Sequence, residues 1–299
     1  MSAPPSSTYG GQAVMEGVMI RGARAMAVAV RTPEGEVVCH RERLRGIFTG
    51  PLRRIPLVRG VVILFETLAL GFRALTWSAA VAAGEPTKDG RARAMDGADW
   101  LFLAITMSIA MGVFFGGPVA ATAWLDAYLP VPAVLALEGA LRIALLLVYI
   151  TGIGRGRDVQ RVFQYHGAEH MTIAAYEDGR DLTVPAIRRY AKEHPRCGTS
   201  FLLTVALVSV VVFSLAGAEP LWWRLGSRLI LIPVVAGVSY EAIRFAGFHQ
   251  EWPVIRWLFA GNIALQKLTT RVPDDEQIRV AIVALDAVRA EEARIDHVR

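Results

Sequence analysis

His166, Glu169 and His170 fall in the pentad His166-Gly167-Ala168-Glu169-His170, an H-x-x-E-H spacing suited to a metal site. On a helix, positions i, i+3 and i+4 share one face, so two imidazoles can converge on an ion with a carboxylate beside them. The order reverses H-E-x-x-H, a two-histidine zinc motif with glutamate as base. In that chemistry His166 and His170 would bind Zn2+, and Glu169 would act as general base on water. The competing reading is a polar cluster whose histidines hydrogen-bond Glu169 and neighbouring backbone.

Zinc needs a third protein ligand. His194 and Cys197 lie in His194-Pro195-Arg196-Cys197-Gly198-Thr199, where Pro195 and Gly198 hold the chain out of helix. Glu241 is the other candidate. It sits near the end of an apolar run, where a carboxylate needs a job or a partner, and Arg244 three residues on would be that partner. Glu241 and His194 rank equally, with Cys197 slightly behind. Glu177 shares a face with His170, but seven residues of rise carry it about 10 Å away. A second polar constellation spans residues 10–22, GGQAVMEGVMIRG. It is neither a P-loop nor G-x-G-x-x-G, and its glycines suit close packing beneath a membrane domain. If it forms a site, Glu16 and Arg21 can reach it.

These residues must be positioned by a chain that is 54% apolar, beyond an ordinary soluble domain. Stretches 100–125, 133–153, 200–216 and 226–245 approach bilayer length and predict four transmembrane helices. Gly116-Gly117-Pro118 predicts a kink or early end in the first. Glu138 and Arg142 in the second are spaced for an ion pair facing the bundle interior. Run 57–83 carries Arg59, Glu66 and Arg73, which favours a re-entrant or interfacial helix. A full span there, giving an odd number, is the alternative.

Outside the membrane, alternation over 25–43 around Thr32-Pro33-Glu34-Gly35 predicts a β-hairpin. Residues 274–299 predict an amphipathic helix that starts after Pro273 with an acidic first turn. The fold class is therefore mainly α, a polytopic membrane protein with a small N-terminal hairpin. Its segments run 1–56, 57–99, 100–153, 154–199 with the pentad, 200–246, and 247–299.

The net charge is +5, and the arginines flank apolar runs instead of forming a stripe, which argues against a nucleic-acid partner. Residues 1–60 hold nine arginines against four acids, and residues 154–199 hold eight Lys/Arg. The turn 126–132 has none, and 218–225 has only Arg224, beside Trp222 and Trp223 in an interfacial belt. The positive-inside rule then places both termini and the pentad on the cytoplasmic side of a multi-pass inner-membrane protein. Two distant cysteines, Cys39 and Cys197, argue against a disulfide scaffold. Residues 1–9 lack the apolar core of a signal peptide.

Five segments, GGQAVMEGVMIRG, YHGAEHMTIAAYEDG, HPRCGTSFL, SYEAIRFAG and LQKLTTRVP, occur in this order. Together they resemble the YqhQ family of bacterial membrane proteins, from about residue 10 to residue 285. That family is a domain of unknown function often labelled a predicted metal-dependent enzyme. The resemblance implies a centre at His166, Glu169 and His170 but supplies no substrate.

Three functions follow from these readings. One is a membrane-embedded zinc hydrolase at the cytoplasmic interface, acting on a peptide or lipid-linked substrate. Another is a non-enzymatic scaffold or assembly factor. The third is a channel or transporter built on Glu138, Arg142, Glu241 and Arg244, for which a homo-oligomer could form the pore.

Overall fold

The computed structural model describes residues 9–44, 50, 52, 55–84, 96–194, 197, 200–217, 220–249 and 251–297. Pro195 and Gly198, expected to shape the turn before the third span, lie outside these residues.

The N-terminal segment folds as an antiparallel meander of β1 (Gly10–Val14), β2 (Gly17–Arg21), β3 (Ala25–Arg31) and β4 (Val37–Arg43), in that order. The predicted hairpin is β3–β4, with Val30 opposite Val38. The glycine-rich segment adds two strands that its composition did not suggest. Val14 pairs with Gly17 across a two-residue turn, where Glu16 adopts a left-handed conformation at φ 49°. Successive side chains of a strand point to opposite faces. Val18, Ile20, Ala27 and Ala29 accordingly fill one core, while Met19, Met26, Val28 and Val30 fill another.

Helix α1 (Val58–Ala82) covers the second face through Leu70, Ala74, Trp77 and Val81. Two of the charges that argued against a span point to the sheet: Glu66 bonds Arg21 at 2.5 Å and Arg73 bonds Glu42 at 2.8 Å. Phe65, Leu68 and Leu75 are exposed on the outer side.

Helices α2 (Gly97–Met111) and α3 (Gly117–Thr122) belong to one continuous 31-residue helix, Gly97–Ala127. The expected break at Gly116-Gly117-Pro118 is a π-helical turn at Gly112–Gly116 instead. A π turn re-spaces the backbone bonds, so the missing Pro118 N–H does not end the helix. No residue of α2 is buried, although nearly all are apolar, and such a surface suits lipid better than water. Helix α4 (Val131–Ile153) returns after a short turn.

Helices α5 (Arg157–Glu177) and α6 (Val184–Ile187) precede α7 (Ser200–Ala216), α8 (Leu221–Ile230) and α9 (Ile232–Phe248). The expected span 226–245 is not one rod, because α8 and α9 meet at a 50° bend. Pro233 in the first turn of α9 cannot donate a bond back into α8. Among the described residues, two helices are long and apolar enough to cross a membrane, or three if the bent pair is one span. That is the count by length and composition, against the four expected. Arg224 is not a loop residue but part of α8, whose Arg224 and Arg228 are buried while Trp222 and Ile230 are exposed.

Helices α10 (Pro253–Thr269) and α11 (Asp275–His297) complete the chain. The acidic start of α11 is a reciprocal cap: Gln277 N–H donates to Asp274 at 2.8 Å and Asp274 N–H donates to Gln277 at 2.9 Å. Ile278, Ala281, Leu285 and Val288 of α11 share one core with α5 and the first sheet face.

Candidate functional site

Helix α5 positions the pentad and stops at Gly179, whose φ of 67° suits glycine. Residues 165–173 are all buried, enclosed by β1, by the chain around Lys192 and by the end of α10. Gly167 makes this possible, since a Cβ there would fall 2.2 Å from the Arg271 carbonyl oxygen.

Both histidines are tied by Nδ1. His166 Nδ1 lies 2.9 Å from the Thr269 carbonyl oxygen, and His170 Nδ1 lies 2.7 Å from that of Lys192. A carbonyl only accepts, so each Nδ1–H donates and each neutral ring keeps its lone pair on Nε2. Burial holds both rings well below the usual imidazole range, against the smaller opposing pull of those carbonyls. His166 Nε2 lies 3.2 Å from Cys197 Sγ, and the two rings are 4.4 Å apart. His166, His170 and Cys197 offer ligand atoms within 4.8 Å of one another, a spacing that could hold a metal ion.

Glu169 lies 3.7 Å from His170 Nε2. Burial pushes its carboxyl up to about 8, opposed by the Gly11 N–H that donates to it. Gly11 must stay small, because a Cβ there would approach Glu169 Cγ to 2.9 Å.

Of the three candidate third ligands, only Cys197 joins both histidines. His194 stands behind His170, its ring 5.8 Å away, with Nε2 3.3 Å from Glu177. Glu177 thus reaches this cluster through His194. Glu241 is elsewhere, held by Arg59 and by the Leu57 N–H at 3.2 Å. Its expected partner Arg244 acts on it only as a nearby charge, with the guanidinium over the Phe248 ring.

Glu16 and Arg21 do not share a site. Glu16 takes hydrogen bonds from Arg161 and from Tyr165 at 3.3 Å, with Arg31 at 3.5 Å. Burial raises its carboxyl, but Arg161 and Arg31 outweigh that and hold it below the usual range. Arg21, bonded to Glu66, lines the cavity in front of Glu169.

Glu138 and Arg142 pair as spaced, at 2.9 Å, but they are part of a larger cluster. Arg224 and Arg228 also bond Glu138, at 3.1 and 3.0 Å, and Arg224 reaches Asp126 at 2.9 Å. The i, i+4 spacing of Arg224 and Arg228 among apolar residues was the signal that could have found them.

A cavity of 420 Å³ opens on Glu169, His170 and Cys197. Ile63, Leu64, Phe201 and Tyr240 form its apolar side.

These features define a mainly helical protein whose described residues hold a small antiparallel sheet, two to three helices fit to span a membrane, and a buried histidine–cysteine group. The chain belongs to the family described as "Protein of unknown function (DUF1385)", whose model matches residues 55–291. It is similar to "Uncharacterized protein YqhQ" of Bacillus subtilis (strain 168), with 31% identity over 304 residues covering 97% of this chain and 94% of that protein. No solved structure matches it. Neither description names an activity.

Residues of all five resemblance segments meet around α5. Gly11, Cys197 and Tyr240 line the cavity with the pentad, while Thr269 orients His166 and Gln266 accepts the His194 N–H at 2.9 Å.

Proposed function

We propose that this chain is a membrane-embedded zinc hydrolase whose site faces the cytoplasmic interface, with a peptide or lipid-linked substrate. One observation carries the proposal. Two histidines with Nδ1 committed to backbone carbonyls offer ligand atoms within 4.8 Å of one another and of a cysteine thiol, which His166 Nε2 meets at 3.2 Å, beside a carboxylate that lines a cavity. Two imidazoles and a thiolate are a donor set that Zn2+ accepts, and catalytic zinc sites keep a further position open. His166, His170 and Cys197 would hold the ion, with the Thr269 and Lys192 carbonyls orienting the rings. When bound, it would supply Lewis acidity and lower the pKa of water.

Glu169 would take a proton from the attacking water as its oxygen bonds to the scissile carbon. The C–O or C–N bond then breaks, and the leaving atom receives that proton. Zinc analysis of the purified protein tests the reading. One zinc per chain is expected in the wild type, and loss of it in His166→Ala and His170→Ala. Absence of stoichiometric metal from all three overturns it.

The membrane arrangement supports an interfacial site. The sheet, α5 and α11 share one core, and we assign that core to one side of the bilayer. The chain must then cross an even number of times between β4 and α5, and again between α5 and α11. We assign the first two crossings to Gly97–Ala127 and α4, leaving α1 interfacial. The second two go to α7 and the α8–α9 pair, which makes four in all. The positive-inside bias puts the shared core and both termini in the cytoplasm.

A further inference from the structure

We propose that the substrate of this site is a membrane lipid with an anionic head group, which arrives sideways from the bilayer between α9 and α10. The inference rests on the hydrolase reading for the chemistry, but not for the binding. The site cavity is lined by both polar and apolar side chains, Glu169 and His170 together with Ile63 and Leu64 of α1 and Phe201 of α7. Its 420 Å³ falls among ligand pockets, which run to about 300–1,000 Å³. An amphiphile satisfies both kinds of lining, whereas a polar substrate would leave the apolar residues uncovered.

A second cavity of 390 Å³ lies between α9 and α10, and Ile243 lines both. The second cavity is walled by Ile255, Phe259 and Ile263 and carries the exposed cations Arg256 and Lys267. Apolar walls with a cation toward each end of α10, about 16 Å apart, match a lipid tail whose anionic head is drawn along the groove. Ile243 stands where this groove meets the site, so it is the gate through which the lipid must pass.

The test uses the full chain in nanodiscs, with photoactivatable phosphatidylglycerol and phosphatidylcholine as probes and cross-links mapped by mass spectrometry. Phosphatidylglycerol should label the Ile63–Leu64 wall, and excess inorganic phosphate should not compete. Arg256→Ala and Lys267→Ala should each weaken that labelling about fivefold. Ile243→Trp should cut labelling of the site wall about tenfold while groove labelling and zinc content stay at wild-type levels. Equal labelling by the two lipids, or site labelling untouched in Ile243→Trp, overturns the proposal. So does displacement of the lipid by an apolar peptide at lower concentration. Wild-type protein that lacks zinc but labels as described would sink the hydrolase reading and leave the lipid site standing.

Discussion

His166 Nδ1 lies 2.9 Å from the carbonyl oxygen of Thr269, a residue 103 positions further along the chain. The tautomer of a candidate ligand is therefore set by the junction between α10 and α11, which is pinned to α5 again where Arg271 N–H donates to the Phe163 carbonyl at 2.8 Å.

Gly167→Ala should break that arrangement. Its Cβ would meet the Arg271 carbonyl oxygen at 2.2 Å, a backbone atom that cannot simply swing aside. Overpacking of this kind costs about 1–3 kcal/mol. The expected outcome is a lower melting temperature in detergent together with weaker zinc retention on dialysis. Wild-type values for both would contradict a tight contact between α5 and the α10–α11 junction.

Glu138→Ala should be more damaging. It removes the partner shared by Arg142, Arg224 and Arg228, all buried. Leaving buried charge unpaired costs about 3–5 kcal/mol. Thermal unfolding in detergent should show that loss. A variant that melts normally but alters ion flux in liposomes would instead favour the transport reading.

Glu16 supplies a pH dependence. Its carboxyl is held below the ordinary value of 4.5 by Arg161 and Arg31, against burial. A depressed folded value means the contribution is present above 4.5 and is lost as pH falls through the lower folded value. Glu16→Gln should cost about 1.5–3 kcal/mol at neutral pH and flatten the acid side of the stability curve. An acid limb as steep as the wild type's would show that another group drives it.

How much of this was legible beforehand differs by residue. The pentad could be placed on a helix because i, i+3, i+4 spacing is local, and the β3–β4 hairpin announced itself by alternation and turn residues. Strands β1 and β2 did not, since GGQAV lacks β-branched alternation and its pairing depends on the sheet behind it. The choice among Cys197, His194 and Glu241 was a tertiary question. Glu241 sat beside Arg244 in sequence, yet Arg59, which it meets, lies 182 residues away. The Thr269 and Lys192 carbonyls carried no signal, because every residue has one.

Even crossing numbers can be checked by adding one cysteine at a time to a Cys39→Ser background, in which the buried Cys197 sets the control level, and labelling with an impermeant maleimide. Arg180→Cys and Arg279→Cys, both on exposed side chains, should label only from the cytoplasmic side. Tyr128→Cys, 76% exposed in the turn before α4, should label only from the opposite side. Labelling of all three from one side would remove the proposed topology.

The proposed metal centre is tested most directly by the absorption spectrum of the protein loaded with Co2+. Thiolate ligation gives an intense sulfur-to-metal charge-transfer band, so one equivalent of Co2+ with that band is expected. Cys197→Ser should lose the band while binding weakens, and His166→Ala and His170→Ala should lose the bound ion. A wild-type protein that takes up no stoichiometric Co2+, or a band unchanged in Cys197→Ser, would contradict a centre built from these three residues.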